Sequence, residues 1–144
     1  MPSSVHQCLL LWLVRKMTAD GFVVAACDGA LPGGGAWTEL PRPFEALGVR
    51  PDACGIEPLT GAFAFAEAKT PGDIVNPHTR TQLRTIGRWV LDGGRDCRLY
   101  VAVPRSAAPL LDRVIHDAGL YGARQLIRMH VPDCFLEGDR YECA

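Results

Sequence analysis

The first apolar stretch of the chain keeps helical spacing. In "SVHQCLLLWLVRKMTADGF", Cys8, Leu11 and Trp12 recur on one helical face, Ser4 and Gln7 stand at capping-box spacing, and Gly21 ends the pattern, so a helix is predicted over residues 5 to 18. "FVVAAC", residues 22 to 27, is short and continuously apolar, as a buried strand is. Further on the period changes to two. "DACGIEP" (52 to 58) reads as a strand, "LTGA" (59 to 62) as a turn and "FAFAEAKT" (63 to 70) as the returning strand of a hairpin. On that second strand Phe63, Phe65, Glu67 and Lys69 share one face, and Ala62, Ala64, Ala66 and Ala68 share the other. After a turn at "PGD", Leu83, Ile86 and Val90 mark a helix over 77 to 91. A strand over 97 to 104, a helix capped by Ser106 and stopped at Gly119, and a strand over 123 to 131 complete the pattern.

The order is helix, three-strand meander, helix, strand, helix, strand. It predicts an α/β sandwich with a central mixed sheet and helices on both faces, with parallel pairing in the last crossover. At 144 residues and 48% hydrophobic, the chain is expected to form a single domain over 1–144, with residues 132–144 as a tail. The seven-residue run "CLLLWLV" is too short to span a bilayer, and no basic residue precedes it as in a signal peptide. No membrane partner is expected. Six cysteines show neither a CxxC pair nor zinc spacing and are read as reduced and structural, which suggests an intracellular, cytoplasmic protein; Cys134 and Cys143 are the pair open to a disulfide.

The formal net charge is only -1, which points to no polyanionic partner in bulk. The distribution is uneven. Residues 69 to 105 carry seven Lys or Arg against three acids, and the remainder carries eight against thirteen. Arg80, Arg84 and Arg88 form a row at helical spacing within the basic part, either a phosphate-gripping surface or a solvated charged face. The glycines Gly33 to Gly35 lack the GK[ST] ending and following helix of a phosphate loop. Ser106, Asp112 and His116 lack a nucleophile elbow, and His6 and His130 lack partners at metal spacing.

The chemistry concentrates in the hairpin. Asp52 opens its first strand and Glu67 lies near the end of its second, so antiparallel pairing brings two carboxylates to one sheet end. Two like charges so placed call for a cation, and hard oxygen ligands suit Mg²⁺ or Mn²⁺. Lys69, on the face of Glu67, is placed to position a metal-bound water or to offset charge on a phosphorane-like transition state; the competing reading is a surface salt bridge with Glu67 or Glu57.

In Pro51-Asp52 and Glu67-Ala68-Lys69, and in the order of its elements from residue 5 to 131, the chain resembles the PD-(D/E)XK nuclease superfamily. The resemblance implies a restriction-endonuclease-like fold, Asp52, Glu67 and the Ala68 carbonyl as metal ligands, and Lys69 as the catalytic lysine. Gln82 corresponds to a glutamine that some subfamilies use near the metal, and His78 lies on its side of the helix. Many members also carry an acidic residue on the first helix. Residues 5 to 18 contain none, which leaves a one-metal or a degenerate site. The function expected is a metal-dependent nuclease acting on DNA, with His78, Arg80, Arg84 and Arg88 toward the nucleic acid and a homodimer plausible by resemblance. The alternative is a catalytically silent nuclease-fold module that binds nucleic acid or protein.

Overall fold

A computed structural model describes residues 3–28 and 49–136. The predicted glycine loop at Gly33 to Gly35 and the last eight residues lie outside them. Helix α1 (Ser4–Ala19) leads into β1 (Val23–Cys27), and β2 (Ala53–Ile56) and β3 (Phe63–Ala68) form the hairpin. A short helix α2 (Pro71–Ile74) and the long α3 (Pro77–Gly93) follow, then β4 (Arg98–Pro104), α4 (Ala108–Asp117) and β5 (Leu126–Val131). The strands stand in the order β1-β2-β3-β4-β5 in one five-stranded sheet. β1, β2 and β3 pair antiparallel, while β3, β4 and β5 pair parallel, so the sheet is mixed and open.

The two sheet faces carry separate cores. Cys8, Leu9, Leu10, Leu13 and Met17 of α1 pack on Ala53, Ala64, Ala66, Ala68 and Ala102, where methyl side chains let the helix lie close to the strands. On the opposite face Leu83, Ile86 and Val90 of α3, with Leu111 and Ile115 of α4, cover Phe65, Leu99, Val101 and Val103. β4 is therefore covered on both sides, which explains its unbroken apolar run. Both parallel crossovers run over the α3/α4 face, and α1 is left to cover the other.

Local chemistry shifts several boundaries. Ser3, not Ser4, caps α1 by accepting the His6 N–H. The "PGD" turn is a full helical turn, because Thr70 and Asp73 form a reciprocal capping box around Pro71. Ser106 is not a helix cap. It lies in a 3-10 turn, Arg105–Ala107, and gives both its N–H and its hydroxyl to the carboxylate of Asp133. Cys27, Cys54, Cys97 and Cys134 are free, so Cys134 is not paired with Cys143, whereas Cys8 is disulfide-bonded, which corrects the all-reduced expectation. The start of the predicted tail is packed on the domain: Phe135 stacks on Trp12 with ring centroids 6.0 Å apart, and Leu136 joins the α1 core. No helix among the described residues is long and apolar enough to cross a membrane.

Leu83 is fully buried between α3 and the sheet, whereas Leu59 at the hairpin turn is 94% exposed. Leu83→Ala is expected to lower the unfolding free energy in urea by about 2–5 kcal/mol, the range for an emptied core site. Leu59→Ala should stay within about 0.5 kcal/mol of the parent. Equal effects would show that the α3 core is not packed as described.

Candidate active site

Three helix N-termini meet at one end of the sheet. β1 runs parallel to β3, so α1, which leads into β1, starts at the carboxyl end of the strands; α3 and α4 start there because each follows a parallel strand. In open α/β sheets, this carboxyl end is where ligand crevices form. Asp52, Glu67, Ala68 and Lys69 all lie at it.

The hairpin register does the placing. Ala53 lies opposite Ala66, so Asp52 falls just beyond the pairing, with its N–H donated to the Ala66 carbonyl at 2.9 Å and its Oδ2 accepting the Ala68 N–H at 2.8 Å. The N–H and C=O of one strand residue face the same way, so the Ala68 carbonyl is turned toward Asp52 as well. Glu67 and Lys69 alternate to the other face, toward α3. There Lys69 Nζ stands 3.3 Å from Glu67 Oε2 and donates to Gln82 Oε1 at 2.6 Å. The Lys69 N–H binds the Ala102 carbonyl at 2.9 Å, tying this end of β3 to β4. Glu67 is 1% exposed and Lys69 8%, so the pairing is buried and not the surface salt bridge considered from sequence. Glu57 takes no part in it, because its carboxylate caps the hairpin turn through Leu59 and Thr60.

The opposite layer supplies a residue that the sequence reading set aside. His6, in the first turn of α1, places Nε2 3.3 Å from Asp52 Oδ2. Its partner is 46 positions away, so no local spacing marks it; the direction of α1 relative to β1 and β3 is what brings it to this end. Asp28 was also passed over. It donates its N–H to the Asp52 carbonyl at 2.8 Å and pairs with Arg50 at 3.0 Å, holding the approach to β2 in place.

The electrostatics follow from burial and neighbours. Burial alone would raise Asp52, but hydrogen bonds from His6 and from the Ala68 N–H, with the charges of His6 and Lys69, hold it below the usual carboxylate value. The hydrogen bond to Asp52 raises His6 against the opposing effect of burial. Glu67 is pushed well above the normal range by burial first and by the charge of Asp52 second, with Lys69 only partly opposing them. Glu67 Oε1 and His6 Nδ1 are buried and meet no donor among the described residues, while the Glu67 carboxyl, when neutral, has the Asp52 carboxylate as acceptor for its proton. An ionised carboxylate oxygen left without a donor in the interior is costly, and either a proton shared with Asp52 or a bound cation removes that cost.

The donors gathered here are two carboxylates and a backbone carbonyl, which as hard oxygen ligands fit Mg²⁺ or Mn²⁺. Among the described residues no group of three or more His, Cys, Asp or Glu side chains is arranged to hold a metal. His78 lies exposed in the first turn of α3. Arg80, Arg84 and Arg88 are exposed along the same helix, and Arg84 is engaged structurally, donating to the Asp117 carbonyl at the end of α4 at 3.1 Å. Ser106, Asp112 and His116 are not assembled as a triad: they contact Asp133, Arg128 and the Tyr121 ring, respectively. No protein-family model, curated protein or solved structure matches the chain.

The His6–Asp52 pair makes a signed prediction about stability. The folded His6 pKa lies above its ordinary 6.5, so its contribution is fully present below about pH 6.5 and lost as pH rises through the raised value. Asp52, held low, stays ionised throughout that window. In a chelating buffer, His6→Gln is therefore expected to destabilise the chain more at pH 5.5 than at pH 9 in denaturant titrations. The reverse ordering would show that the pair is not ionic.

Proposed function

We propose that the chain is a metal-dependent nuclease of restriction-endonuclease-like architecture, one that hydrolyses phosphodiester bonds in DNA. The observation that carries this reading is the grouping of Asp52, Glu67, Lys69 and Gln82 at the carboxyl end of the sheet, in which Glu67 and Lys69 are buried and Asp52 and Gln82 half-buried. Helix N-termini gathered at the same end favour an anionic substrate such as a phosphodiester. Asp52, Glu67 and the Ala68 carbonyl would hold a Mg²⁺ or Mn²⁺ ion, which when bound supplies Lewis-acid polarisation of a phosphoryl oxygen and a water of lowered pKa.

The chain's own residues account for the remaining work. Lys69 has three N–H donors. Glu67 Oε2 and Gln82 Oε1 fix its ammonium from two directions, which leaves one donor for the substrate or the attacking water. Held in this way, the charge is pre-organised against the negative charge that develops as the phosphorus gains its fifth oxygen. Gln82 is a positioning residue in this scheme, since it acts through Lys69. His6 and the Ala68 N–H keep Asp52 ionised and oriented.

One observation favours the second reading, a silent module of the same fold for nucleic-acid or protein binding. Asp52 Oδ2 and Glu67 Oε2 already have protein partners, so the carboxylates are partly satisfied without a cation.

Labelled single-stranded, duplex and branched DNA incubated with Mg²⁺ or Mn²⁺ separates the two. Metal-dependent cleavage is expected on at least one substrate. Lys69→Ala is expected to reduce it by about 10²–10³-fold or more, the scale for removing a pre-organised transition-state donor, while the far-UV spectrum stays unchanged. Full turnover by Lys69→Ala would exclude the assigned mechanism, and absence of cutting on every substrate would favour the silent module.

A further inference from the structure

A groove opens beside the candidate site, and it unites an arginine of the predicted row with one from a different helix. Its wall consists of Ile74, Val75, Asn76 and Pro77, the segment leading from α2 into α3, together with Leu110 and Val114 of α4; Arg80 and Arg113 flank it, Asp117 lies at its margin, and its volume is about 310 Å³. That size is at the low end of the roughly 300–1,000 Å³ of ligand clefts.

Its position relative to the site follows from the chain path. Lys69 leads through Thr70 directly into α2 (Pro71–Ile74), whose last residue opens the groove wall, and Leu110 lies in the first turn of α4, which starts at the same carboxyl end of the sheet. The groove therefore begins five residues after Lys69 in the chain. Val75 is 62% exposed, an uncovered apolar contact beside two guanidinium groups.

Resting on the nuclease reading above, we infer that this groove takes the strand of nucleic acid adjoining the cut, with Arg80 and Arg113 on its phosphates and Val75, Leu110 and Val114 against its sugars. The charge argument is direct. Two exposed arginines face a single carboxylate, Asp117, across the groove, and planar guanidinium groups bind phosphate through paired N–H donors. The predicted arginine row thereby divides in two: Arg84 is committed to the Asp117 carbonyl, while Arg80 joins Arg113, 33 positions later, at the groove. Sequence spacing along one helix could not reveal that partnership.

The test uses the full chain and fluorescently labelled oligonucleotides, with affinity measured across a series of KCl concentrations. Arg80→Ala and Arg113→Ala are each expected to weaken binding several-fold and to reduce the slope of log affinity against log salt by roughly 0.7–0.9, one phosphate contact apiece. Cleavage KM should rise in parallel. Arg95→Ala, an exposed arginine just before β4, removes the same charge away from the groove and should match the parent. If the parent binds and cuts DNA but the two groove variants keep its salt slope, the groove assignment is wrong while the nuclease reading stands. If the parent binds no nucleic acid, both fall together. Binding of polyglutamate in place of DNA, lost in the same two variants, would overturn the nucleic-acid occupant and make the groove a protein-docking surface.

Discussion

A carboxylate withdrawn from water at the end of a strand constrains everything around it. Glu67 is buried almost completely beside a second carboxylate, Asp52, and both circumstances oppose its ionisation, so the charged form needs a cation beside it. Lys69 meets that demand on one oxygen, and Gln82 then fixes Lys69. The other oxygen meets no donor among the described residues. Replacing this polar group by leucines would stabilise a purely structural sheet end at least as well. The buried polarity therefore argues for chemistry, and the proposed cation answers both the spare oxygen and the repulsion between the two acids.

Each layer of the fold contributes one part of this arrangement. The hairpin supplies the carboxylates through its register, with the Asp52 side chain substituting for the next backbone partner of Ala68. α1, packed closely on the alanine face, brings His6 to Asp52 from behind. α3, seated on the opposite face by Leu83, Ile86 and Val90, delivers Gln82 from one side and Arg80 from the other. The site thus spans the sheet end from one helical layer to the other, and its stiffness derives from two hydrophobic cores.

Much of this was legible in the sequence because the relevant spacing is local. Period-two alternation places Glu67 and Lys69 together, and the hairpin turn fixes where Asp52 stands opposite them. Gln82 is reachable because only the short α2 turn intervenes between Lys69 and α3. What escaped the reading is non-local. His6 and Asp52 meet through the relative direction of α1 and β1, and Arg80 and Arg113 come to one groove through the packing of α3 on α4. The Ser106 cap failed for the same reason: Asp133, from beyond β5, competes for its N–H and hydroxyl.

The central claim is that the Asp52 and Glu67 carboxylates hold a divalent cation. Calorimetric titration of the chain with Mn²⁺, beside Glu67→Ala, tests it most directly and needs no substrate. The account predicts saturable binding by the parent and its loss in the variant. No binding by the parent, or binding that survives removal of the Glu67 carboxylate, would contradict it.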